Sequence, residues 1–108
     1  MNMKLYEVQQ AYVVAAKAEL KGLTTDEKYK LIKNVRELKS KVNEFEEFIK
    51  DTQEKVTNVE EQNAILNKEA TKDVEVNIEK MGKESFDKML ENNEWNATQA
   101  CLMEDLFK

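Results

Sequence analysis

The stretch Lys28–Lys50, KYKLIKNVRELKSKVNEFEEFIK, decides the fold. Within it Leu31, Val35, Leu38, Val42, Phe45 and Ile49 recur at alternating steps of four and three. On an α-helix that spacing gathers them on one side, with Ile32 and Phe48 widening the stripe. The alternation runs on from Lys28 through Thr52, Val56, Val59, Asn63 and Leu66 to Ala70, but Thr52 and Asn63 interrupt its apolar character. It predicts a long, coiled-coil-like second helix, strongest from Leu31 to Ile49. Unbroken from 25 to 71, such a helix would be about 70 Å long, beyond the diameter of a compact domain of this size. The rod therefore projects or breaks, and the weak helix formers Asp51, Thr52, Thr57 and Asn58 mark 51–58 as the place for a break.

Upstream, Leu5, Val8, Tyr12 and Ala15 recur at helical steps, with Ala11, Val14 and Ala18 beside them, which predicts a first helix over 3–21. Gly22 suits a left-handed turn, and Thr24 with Glu27 forms a capping box that opens the second helix. An antiparallel helical hairpin over 3–50 follows, with 51–72 as its extension. Downstream, Val74, Val76 and Ile78 alternate with Glu75, Asn77 and Glu79, the period of a short β segment near 74–78. No second strand is legible, so that segment pairs with another copy or a partner, or else is an irregular connection. After Gly82, Phe86, Met89 and Leu90 mark a short helix, Asn92-Asn93 interrupts it, and Asn96 with Gln99 opens a last helix over 97–107 that would bury Cys101, Leu102 and Leu106. Residues 73–108 are thus a C-terminal segment of short helices in a single, mainly α domain spanning 1–108.

Composition agrees with that architecture. The 108 residues hold no Pro and two Gly, carry 36% charged and 41% apolar side chains, and have a formal net charge of −5. The chain is mildly acidic and apolar enough to fold, so simple disorder is not the first reading. No His is present, which removes the usual general base and the imidazole metal ligand, and one cysteine builds neither a thiolate cage nor an internal disulfide. No catalytic, metal or cofactor-binding residue is expected. No run of about 18 apolar residues exists to span a bilayer, and the Ala11–Ala18 stretch is too short for a secretory leader. The expectation is a cytoplasmic protein without a membrane partner.

Three features invite a functional reading. The carboxylates Glu44, Glu46, Glu47 and Asp51 form an acidic face that reads as a solvated surface rather than a cation site, since hard cations need oxygen ligands converging from several elements. The basic run Lys28, Lys30, Lys33, Arg36, Lys39 and Lys41 spreads around the helix instead of forming one stripe, which argues against nucleic-acid binding. Trp95, Phe107, Met81, Met89 and Met103 read first as core and second as a peptide-docking surface. The second helix is thus a rod with a positive first half and a negative second half. Staggered or antiparallel copies would match the opposite signs, and parallel pairing would set Lys41 beside Glu46 and Lys55 beside Glu60.

The succession of a leading helix ending near Glu19-Leu20-Lys21-Gly22, a Lys-rich second helix, Val74-Glu75-Val76-Asn77-Ile78 and Phe86-Asp87-Lys88-Met89-Leu90 resembles small helical proteins of unknown function encoded by phages and prophages of low-GC bacteria. That resemblance implies a viral setting and no activity. The reading that follows is a non-enzymatic interaction or assembly protein that forms a homo-oligomer through Leu38, Val42, Phe45, Ile49, Val56 and Val59 and binds a host or virion protein. The alternatives are an inhibitor of a host defence or nucleic-acid enzyme that uses the acidic face as a phosphate mimic, and a nucleic-acid binder acting through the basic half.

Overall fold

The computed structural model describes residues 1–108. Its elements run β1 (Asn2–Lys4), α1 (Leu5–Ala15), α2 (Thr25–Lys55), α3 (Val59–Ala70), β2 (Asp73–Glu75), α4 (Lys83–Asn92) and α5 (Ala97–Phe107). Helices account for 69% of the chain. The molecule measures 49 × 25 × 21 Å, and α2 sets its long axis.

Helix α2 begins where its capping box places it. The Thr24 hydroxyl accepts from Glu27 N–H at 3.2 Å, and Glu27 Oε1 accepts from Thr24 N–H at 2.8 Å. It ends at Lys55, and Val56-Thr57-Asn58 forms a corner, with Asn58 Oδ1 accepting from Glu61 N–H at 2.9 Å to start α3. The rod therefore breaks inside the weak stretch. Helix α3 turns back along α2, which half-buries Ile65 and Leu66 within one chain. Cover for the second half of the seam thus comes from its own continuation.

Helix α1 is shorter than its periodicity predicts. It stops at Ala15, where Lys17 N–H bonds to Val14 O and Ala18 N–H to Ala15 O in tighter three-residue turns, and the N–H of Glu19 then donates to Asn93 Oδ1 at 2.7 Å. Asn93 donates in turn to Met89 O and Asn92 to Lys88 O, so the Asn92-Asn93 pair closes α4 and fixes the 16–24 loop together. Gly22 sits in that loop at φ +85°, and a Cβ there would meet the Asn92 amide at 2.8 Å, so glycine serves both conformation and contact.

Residues 2–4, expected to be mostly helical, form the second strand that was not legible. β1 and β2 pair antiparallel, with Asn2 opposite Glu75, Met3 opposite Val74 and Lys4 opposite Asp73. Three residues are too few to show a period, and the pairing is local to the chain, not across copies. The ladder covers 73–75, short of the expected 74–78, yet the alternation persists, since Val76 is fully buried and Ile78 packs against the core. This strap is held by scattered partners: Val76 N–H donates to Met1 O at 2.8 Å and Met81 N–H to Phe107 O at 2.6 Å. Between them, the Asn34 amide donates to Glu79 O and accepts from Glu79 N–H, both at 2.9 Å, doing from α2 what a neighbouring strand would do.

One cluster of thirteen buried residues joins these parts, among them Val8 and Ala11 of α1, Leu31, Leu38 and Val42 of α2, Val76 of the strap, Met89 of α4 and Met103, Leu106 and Phe107 of α5. None of its members lies between Val42 and Val76. Leu5, Phe45 and Thr52 are buried outside it.

Candidate functional site

The structure divides the expected assembly seam. Leu38 and Val42 are in the main core and Phe45 is buried beyond it, all within one chain. Ile49 and Val56 are half-buried, and Val59, at the start of α3, is 65% exposed. A partner meeting the folded chain can therefore touch Val59 and the edges of Ile49 and Val56, whereas Leu38, Val42 and Phe45 face inward.

Glu44, Glu46, Glu47 and Asp51 are all exposed. At 100° per residue Glu44, Glu47, Asp51 and Glu54 share one face of α2, and Glu46 lies to its side. With Glu60 and Glu61 across the corner, residues 43–63 hold seven carboxylates against Lys50 and Lys55, a surplus equal to the whole formal charge of −5. None of the seven forms an ion pair within the chain. No three acidic or cysteine side chains converge as a metal site.

The basic half is partly occupied. Lys30 and Lys33 reach the Glu79 carboxylate at 3.9 and 3.8 Å, tying α2 to the strap. Arg36 and Lys39 have no such partner, and they edge a groove of about 350 Å³ between α1 with its following loop and α2. Ala15, Ala16, Ala18 and Leu20 line one side and Leu31, Ile32 and Val35 the other. The alanines have no bulk to fill the space, so the groove is apolar and shallow. A second cleft of about 440 Å³ lies where Lys17, Asn92, Asn93 and Trp95 meet.

Trp95 and the methionines belong to the packing. Met89, Met103 and Phe107 are fully buried, Met81 and Trp95 pack against the cluster, and the Trp95 ring lies 6.4 Å from that of Phe86. Cys101 is a correction: it is exposed, not buried, and Leu102 is only half-buried. Helix α5 turns Met103, Leu106 and Phe107 inward, and at 100° per residue this sends Cys101 to the opposite side.

Periodicity also missed the polar joints. Asn34, 1% exposed, lies one position before Val35 and is buried beside it, where its amide pairs with the backbone of Glu79 in the strap. Glu27 accepts from the Ser85 hydroxyl, from Thr24 N–H and from Lys88 Nζ at 3.0 Å, and these donors, Ser85 foremost, hold its carboxyl down from 4.5 to about 2. Every donor is structural, so the shift marks a joint between α2 and α4. The Thr-x-x-Glu pattern identified the cap, but nothing local pointed to Ser85 or Lys88, which lie more than fifty residues away.

Comparison with known protein families, with curated proteins and with solved structures finds no match. No helix is long and apolar enough to cross a membrane.

Proposed function

We propose that the chain is a non-enzymatic interaction protein that works by helical self-association and by occupying a protein surface. The supporting observation is the separation of unpaired charge along α2, with a cation-edged apolar groove on its first half and an unpaired acidic corner at its far end. Surface of that kind is suited to steering and registering a partner, and offers no acid–base pair for chemistry. The resemblance to phage-encoded helical proteins adds a host-cytoplasmic setting, with which one unpaired, exposed thiol agrees. Sedimentation equilibrium at micromolar concentrations in about 0.15 M salt tests the reading, because exposed charges still act across a Debye length there. We expect a mass that rises with concentration; one chain at every concentration removes self-association.

A second reading is favoured by the row Glu44, Glu47, Asp51 and Glu54, an unpaired line of negative charge on one face of α2 whose members follow one another at about 4.5 to 6 Å along the axis. It makes the chain an inhibitor that occupies the nucleic-acid site of a host enzyme. Displacement of a labelled duplex from a purified host nuclease, lost on changing Glu47 and Asp51 to Lys, is its test. A bare oligonucleotide bound in low salt by the basic half would instead support nucleic-acid recognition; Lys30 and Lys33, taken up by Glu79, weigh against it.

A further inference from the structure

We infer that the α2–α3 corner of one copy docks into the α1–α2 groove of a second copy, an inference that rests on the self-association proposed above and names its surfaces. At the corner, Val59 is exposed at the start of α3, with Glu54 near the end of α2 and Glu60 and Glu61 next in the chain, all exposed and unpaired. In the groove, Ala16, Leu20 and Ile32 present an apolar floor, with Ile32 40% exposed, and Arg36 and Lys39 stand at its edge without a carboxylate of their own. An exposed apolar side chain on an acidic corner is thus the complement of an apolar floor edged by cations. Lys30 and Lys33 show by contrast what the same helix does when a carboxylate is within reach: both turn to Glu79.

The two surfaces cannot meet within one molecule. The groove lies along the first half of α2 and the corner begins at its far end: from Lys39 to Glu54 the axis advances about 22 Å, and Val59, Glu60 and Glu61 follow beyond it at the start of α3. A rigid helix of that length holds them apart, so the complementarity is satisfied only between copies. The contact is heterologous, because the patch given differs from the patch received. It is also small. A groove of about 350 Å³ with one apolar anchor falls short of a permanent interface, so the association is weak, concentration-dependent and salt-sensitive.

Charge reversal tests this on the full chain. The groove variant Arg36→Glu/Lys39→Glu makes both of its surfaces acidic, and the corner variant Glu54→Lys/Glu60→Lys makes both of its surfaces basic. In sedimentation velocity over a micromolar to millimolar range, the unaltered chain is expected to gain mass in about 0.05 M salt and lose it in about 0.5 M. Each variant alone should sediment as one chain at unchanged helicity by circular dichroism, and an equimolar mixture should regain the mass of the unaltered protein. Val59→Asp, with no change in the groove, should abolish assembly of the otherwise unaltered chain. If the unaltered chain assembles but the variants assemble equally well, or their mixture stays at one chain, these surfaces are wrong and self-association uses another face. A single-chain mass for the unaltered protein at every concentration removes this inference and the self-association reading together.

Discussion

The body around α1, the first half of α2, the strap, α4 and α5 and the arm made by the end of α2 and α3 share one heptad pattern and differ in what covers it. In the body, Leu31, Leu38 and Val42 enter a cluster fed by all the surrounding elements. In the arm, the cluster has no member, α3 has no buried residue, and Phe45 and Thr52 are the last well-covered positions of α2. The comparison teaches that period fixes which face of a helix is apolar, while the number of elements returning to that face fixes how much it contributes. Elements from both ends of the chain meet in the cluster at the first half, whereas α3 is what folds back on the second.

The largest expected effect lies at the boundary between the two regions. Phe45→Ala should destabilise the fold by about 3 to 5 kcal/mol, since the ring is 6% exposed and its loss leaves a cavity. Urea denaturation measures it. A loss below about 1 kcal/mol would mean that the arm's cover collapses freely, and the distinction between body and arm would have to be redrawn at Val42.

Asn34→Ala is next, at about 1 to 3 kcal/mol, because truncation orphans the N–H and the carbonyl of Glu79 in one step. The change strikes the body alone. Amide exchange should therefore accelerate along 76–81 and leave α3 as slow as before; equal acceleration in both would show the two regions opening as one unit.

The sequence was informative where a contact is local and silent where it is distant. Thr24 with Glu27 and Asn96 with Gln99 announce helix starts because donor and acceptor lie three residues apart, and both boxes form. The break at 56–58 was legible for the same reason, in a run of poor helix formers. By contrast, α1 has the composition to continue to residue 21 yet ends at Ala15, and the chain beyond it is held by Asn93, seventy-four positions on from Glu19. The strand of residues 2–4 is defined by its ladder partner and by Leu5 N–H bonding to Lys72 O, not by its side chains. Of the candidate site, the acidic residues lie exposed, as their charge predicts, while the groove leaves no mark in the sequence because one side is lined by alanines that signal helix and its other wall lies across a turn.

A smaller effect attaches to Glu27, the joint that ties the start of α2 to α4. Its carboxyl is lower in the folded chain than in the unfolded one, so its contribution is present above the ordinary value of 4.5 and fades as the pH falls toward about 2. Stability should therefore drop across that interval, and Glu27→Gln should flatten the drop while lowering stability at neutral pH. Urea midpoints collected from neutral pH downward check both. Parallel curves for the two proteins would mean that Ser85 and Lys88 do not favour the charged form, and that α4 is held to α2 by packing alone.

The smallest effect on stability is expected at Val59, and it separates covering from docking. The side chain is 65% exposed, so Val59→Ala removes little buried area and should shift stability by no more than about 0.5 kcal/mol. Its helix start is secured independently by Asn58, whose side chain still accepts from Glu61 N–H after the change. A large loss in urea denaturation would mean that Val59 is covered in solution, either by the chain itself or by a second copy already in place at the concentration used. Repeating the measurement at tenfold dilution distinguishes these, since a contact between copies weakens with dilution and one within the chain does not. A loss that survives dilution would move Val59 from the surface of the arm into its packing and leave the corner with charge alone to offer a partner.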